Sequence, residues 1–170
     1  MATIEAIETV YLEADASSVT FSSLGSYEHL QLQMSVRTDY TSTRDMVRIN
    51  FNSDTGTNYH RHYMRGYGSS GTPQGNAYTG VAFVYGGWIP GAKIDASEYG
   101  PIIVDILDYR NASKNTTLTW LIGSVTDAEV YFTSGMWDST AAVTSIAMTS
   151  WLGADFVRGS EFTLYGLKSS

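Results

Sequence analysis

The chain has 170 residues, of which 43% are hydrophobic, 13% aromatic and only 16% charged, with a net charge of −7. That balance excludes a disordered chain, because the apolar surface is large enough to offset the entropy of ordering the backbone. It also opposes nucleic-acid binding, which needs clustered Lys and Arg, and the lack of cysteine removes disulfides and thiolate zinc sites.

The length fits one domain spanning 1–170. Met1 to Glu5 carries neither a basic region nor an unbroken apolar stretch, and no later segment approaches the ~18 to 20 apolar residues of a membrane span. The expectation is a protein made in the cytoplasm, with neither membrane nor nucleic acid as partner.

Ile4 to Glu13 alternates loosely, and Ser18 to Ser22 sets Val19 and Phe21 on one face, with a turn at Asp15-Ala16-Ser17 between them. From Glu28 to Arg37, Leu30, Leu32, Met34 and Val36 alternate with His29, Gln31, Gln33 and Ser35, the pattern of a half-buried strand. Val47, Ile49 and Phe51 repeat that period. After the turn signal Asp54-Thr55-Gly56, Asn58 to Tyr67 opposes Tyr59, Arg61, Tyr63 and Arg65 to His60, His62 and Met64, and either face suits the interior.

Gly66 to Asn76 is rich in Gly and Ser and poor in apolar side chains, so it is expected as an exposed loop. Tyr78 to Trp88 reads as one aromatic, Gly-interrupted strand with bulges or close backbone approaches at Gly80, Gly86 and Gly87. Pro101 to Tyr109 is apolar on both faces, as in a central strand. Thr117 to Gly123 gathers Leu118, Trp120 and Ile122, and the next segment gathers Ala128, Val130 and Phe132, so the two predict a hairpin around Gly123 to Asp127. Trp137 to Ala141 reads as a loop, and Val143 to Ser150 and Glu161 to Leu167 as two last strands. Roughly ten strands, many with one polar face and none interrupted by a three-turn helix, predict an all-β antiparallel sandwich.

Four phrases, in order along the chain, carry a resemblance: Arg48 to Tyr59 (RINFNSDTGTNY), Asp108 to Asn115 (DYRNASKN), Gly135 to Ile146 (GMWDSTAAVTSI) and Gly159 to Leu167 (GSEFTLYGL). Together they resemble a family of tailed-bacteriophage virion proteins found in marine and cyanobacterial phages, over about Ser18 to Leu167. The resemblance implies a β-sandwich of jelly-roll type in the virion, either a capsid decoration (cement) protein or a tail-fibre domain. It implies no catalytic residue. A chain of this length with no fibrous repeat or coiled-coil segment is easier to place as a decoration protein. Its implied partners are the major capsid protein or other virion proteins and further copies of itself, with a trimer favoured; a host surface glycan is the partner under the tail reading.

The chemistry-bearing residues each have a plainer reading. His60 and His62 share a strand face and, with His29, offer three imidazoles for a metal, but ordinary exposed histidines account for the spacing. Asp105 and Asp108 fall on opposite faces of an ideal strand, which suits no paired-carboxylate chemistry. Asp54-Thr-Gly56 matches the aspartic-protease tripeptide but sits in an Asn-rich turn with no second copy. Gly68-Ser-Ser-Gly71 lacks phosphate-loop or nucleophile-elbow spacing, and the sequons at Asn111 and Asn115 read as turns. The expectation is no enzyme and no cofactor.

The remaining candidates are aromatic. Tyr59, Tyr63, Tyr67, Tyr78, Tyr85 and Trp88 suit a core, a subunit interface or a sugar-stacking platform. Trp137 and Trp151, expected in or beside loops, are the leading interface candidates, because an exposed indole is costly unless it docks.

Overall fold

A computed structural model describes residues 3–68, 71–124 and 128–168. Twelve strands occur among them: β1 (Thr3–Tyr11), β2 (Ser18–Phe21), β3 (His29–Val36), β4 (Arg44–Phe51), β5 (Tyr59–Tyr67), β6 (Gln74–Val81), β7 (Val84–Pro90), β8 (Gly100–Leu107), β9 (Thr116–Ser124), β10 (Glu129–Trp137), β11 (Ile146–Ser150) and β12 (Glu161–Lys168). No helix accompanies them among the described residues. All ladders are antiparallel.

The strands form two facing sheets, one of eight in the order β1-β12-β3-β8-β9-β10-β5-β6 and one of four in the order β2-β11-β4-β7. The expected antiparallel sandwich is therefore the fold. The period-two patterns decide which side chains go inside. Leu30, Leu32, Met34 and Val36 of β3 meet Val104 and Ile106 of β8, and Val47, Ile49 and Phe51 of β4 face them from the smaller sheet. Each such side chain contributes roughly 1.5–3 kcal/mol by leaving water.

Because four strands face eight, the larger sheet overhangs the smaller one. β1 is almost wholly exposed and lends the core only Ile7 and Val10. At the other edge β5 and β6 project beside β7, which packs across β9, β10 and β5. That packing is close: a Cβ on Gly86 would stand 2.4 Å from Trp120, and one on Gly87 2.5 Å from Tyr131. The two glycines therefore let an edge strand lie directly on aromatic rings.

Several expectations are corrected. Tyr78 to Trp88 is not one strand: Gly80 at φ +64° precedes a crossing at Ala82-Phe83, so Tyr78 belongs to β6 of the larger sheet and Tyr85 and Trp88 to β7 of the smaller. The expected loop at Gly66 to Asn76 is shorter, because Gly66 and Tyr67 end β5 and Gln74 to Asn76 begin β6; Ser69 and Ser70 lie outside the described residues. The β9–β10 hairpin forms, with 125–127 of its link outside the described residues. Its second strand, however, turns Val130 and Phe132 outward and buries Glu129, Tyr131, Thr133, Gly135 and Trp137. β8 is central by its neighbours, yet Ile103 and Leu107 on its outer face are uncovered.

Candidate functional site

Two surface features stand out, and the first lies along the edge where β7 meets β5 and β6. The alternation Tyr59, Arg61, Tyr63, Arg65 is the inward face of β5, but past β7 that face is roofed only in part. Arg61 is 6% exposed there. Its guanidinium lies 3.3 Å from the centroid of Tyr85, 4.5 Å from Tyr78 and 4.9 Å from Tyr63. Its Nη1 donates to the Tyr85 carbonyl at 2.8 Å, and Thr133 Oγ1 donates to the next carbonyl, Gly86, also at 2.8 Å. The edge of β7 is thereby capped by side chains rather than by another strand.

Trp151, in the link after β11, stacks on Tyr85 at 5.7 Å and meets Trp88 edge-on at 6.3 Å. Tyr63 and Tyr78 stack at 6.4 Å. These rings, with Arg61, Arg65, Met46, Tyr131 and the Gly86-Gly87 backbone, line an open cavity of about 200 Å³. Burial of the guanidinium pulls the Arg61 pKa below its ordinary value, and the tyrosines around it act in the opposite sense. Beside the cavity the buried Glu129 accepts from Tyr131 Oη at 2.5 Å and faces Arg65 at 3.4 Å and Arg44 at 3.7 Å. Burial, and then the hydrogen bond to Glu129, raise the Tyr131 pKa far above the usual phenol range, so its hydroxyl stays a donor.

The second feature is the outer face of the larger sheet. Register aligns Met64 with Phe132, Phe132 with Leu121 and Leu121 with Ile103, so four neighbouring strands carry one apolar row. Phe132 is 48% exposed and Leu121 51%. In the adjoining row Val130 stands between Gly66 and Gly123, whose missing side chains leave open space on either side. Pro101, Ile103, Leu121, Gly123 and Val130 line a depression of about 260 Å³.

The aromatic candidates thus divide. Tyr78, Tyr85, Trp88 and Trp151 come together around the groove, joined by Tyr63. Tyr67 stands at the end of β5, 46% exposed, with Arg65 at 5.4 Å from its ring centroid. Tyr59 and Trp137 belong to the core. Trp137, expected in a loop, closes β10 at 3% exposure, packs against Phe51 and Tyr59, and donates from Nε1 to Asp54 at 2.7 Å. The arginines were the missed component: their alternation with tyrosine on β5 was visible, but nothing local showed that β7 would bring Tyr85 over them.

The other candidates are dispersed. His29 lies four strand spacings from β5, about 19 Å from His60 and His62, and no group of three His, Asp or Glu able to hold a metal occurs among the described residues. Asp105 accepts from Gln31, while Asp108 sits at φ +52° and pairs with Lys114. Asp54 accepts from Trp137, Gly56 and Asn58, which hold its carboxyl below the usual carboxylate range. Asn111 caps its own turn at Ser113, and Asn115 donates to Asp138. Compared with known protein families and with curated proteins, the chain matches none.

Proposed function

We propose that this chain is a structural protein of a tailed-bacteriophage particle, a capsid decoration protein that seats on the major capsid protein and reinforces the assembled shell. The observation that carries the reading is the uncovered apolar row Met64, Phe132, Leu121 and Ile103. Such a face is costly on a chain that works alone and is suited to a permanent partner. Strand order lends further support. Setting aside β5-β6 and β9-β10, the sheets read β1-β12-β3-β8 against β2-β11-β4-β7, with successive strands alternating between them except at β4 and β7, which pair in the smaller sheet. This order supports reading the sandwich as a jelly roll, an architecture of viral capsid and lectin domains. The two extra hairpins extend one sheet and supply most of the apolar row.

On this reading the chain acts as a homo-oligomer, with a trimer the expected form, so that modest contacts add by avidity. Cryo-electron microscopy of purified particles tests the location: density over the shell at capsomer junctions is expected, and density confined to the tail tip overturns the decoration role. Re-adding a Leu121→Asp variant to particles that lack the protein should fail to restore that density.

A second reading, a carbohydrate-binding module of the tail, is favoured by the groove at Tyr78, Tyr85, Trp88 and Trp151. Aromatic faces flanking a small open cavity suit a sugar ring. A glycan array together with adsorption of particles lacking the protein separates the two readings.

A further inference from the structure

The strand edges that border the groove gather arginines in a chain that is acidic as a whole. Four of the seven arginines in this acidic protein, Arg44, Arg48, Arg61 and Arg65, lie within 6 Å of an aromatic ring centroid along the β4–β7 and β5–β6 edges. Arg44 and Arg65 face Glu129, and Arg48 donates to Thr149. Arg61 differs. Among the described residues no carboxylate lies within ion-pair range of it, and its Nε has no hydrogen-bond partner although it is buried. A buried guanidinium without an anion is costly, and tyrosine faces compensate only part of that cost.

The walls and the charge define one ligand chemistry. Tyr85 already carries the Arg61 guanidinium at 3.3 Å and stacks on Trp151, so the indoles of Trp151 and Trp88 are the apolar walls left for the C–H face of a pyranose. Arg61 lines the same cavity, whose 200 Å³ is on the scale of a single ring rather than a long chain. With Nη1 on the Tyr85 carbonyl and Nε buried, the free arm of the guanidinium fork still offers a charge-assisted hydrogen bond, which favours a carboxylate over a neutral hydroxymethyl group. We propose that this groove binds an acidic saccharide, a uronic-acid residue whose ring packs against Trp151 and Trp88 and whose carboxylate is neutralised by Arg61. The inference rests on the carbohydrate reading of the groove and is independent of where in a particle the protein sits. A single-stranded nucleic acid would also stack on aromatics, but it needs a basic track along several successive phosphates, whereas only Arg61 and Arg65 line this one-ring cavity.

The test is titration of the intact protein, followed by tryptophan fluorescence and calorimetry, with tetramers of galacturonic, glucuronic and mannuronic acid. Controls are the same tetramers with their carboxyl groups reduced to alcohols, and an oligothymidylate. Saturable binding to an acidic tetramer, at least tenfold weaker for its reduced counterpart and weakened as salt rises, is the expected result. Trp151→Ala should lower affinity about tenfold for acidic and reduced ligands alike. Arg61→Met should abolish the preference between them. Should that variant melt early, Arg61→Lys keeps the charge without the fork and should retain part of the preference. Equal binding of acidic and reduced tetramers overturns the acidic inference and leaves the carbohydrate reading standing. No binding to any tetramer overturns both, as does tighter binding of the oligothymidylate.

Discussion

Asp54 shows how much one side chain organises here. It sits in the turn between β4 and β5, yet it takes hydrogen bonds from the turn itself at Gly56 and Asn58 and from the indole of Trp137, 83 residues away. Asp54→Ala leaves a buried indole N–H without an acceptor, and the expected loss of stability in urea unfolding is about 1–3 kcal/mol. The pH dependence has a definite sign. Because the folded carboxyl titrates below its ordinary value of 3.8, its contribution is complete above that value and is lost as pH falls through the lower folded one. The stability gap between wild type and Asp54→Ala should therefore be constant near neutrality and close in acid. Gly87 works by omission. A methyl there meets Tyr131 and Ile122 below 3 Å, so Gly87→Ala should cost roughly 1–3 kcal/mol in the same measurement.

Among the elements, β10 explains both what was legible and what was not. Most strands announced themselves by alternation, β3 above all, because one face is buried and the other wet. In β10 the more hydrophobic set, Val130 and Phe132, lies outside, and the set containing Glu129, Thr133 and Gly135 lies inside. Tertiary context decides this. Gly135 admits Val84 of β7, Thr133 caps the β7 edge, and Glu129 finds two arginines and a phenol, so the less apolar face is the one the fold can satisfy. The groove was half legible for the same reason. Its aromatics were visible as a group, whereas the arrangement around Arg61 needs β6 and β7 in different sheets, a separation made at Gly80 to Phe83 within a run that reads as continuous. The outward turn of Val130 and Phe132 also makes a prediction. Phe132→Lys should change thermal stability by no more than about 0.5 kcal/mol, because it alters solvent-facing surface, while under the proposed decoration role it should remove attachment to the shell in a sedimentation assay. A large drop in melting temperature would show instead that this face is part of the core.

At the scale of the whole molecule, most ladders join strands distant in sequence, β1 to β12 and β2 to β11 among them, and only β5–β6, β8–β9 and β9–β10 pair successive strands. Loops must close before those contacts form, so refolding after dilution from denaturant is expected over milliseconds to seconds, followed by tryptophan fluorescence in stopped flow. Pairing of β1 with β12 also sets Thr3 opposite Lys168 on one margin of the larger sheet, while the groove flanks the other. Seven strand spacings separate those margins, about 34 Å. A fluorescent protein, an enzyme or a peptide epitope joined beside Thr3 or beside Lys168 would start from that one margin and leave the opposite one, with its groove, unobstructed.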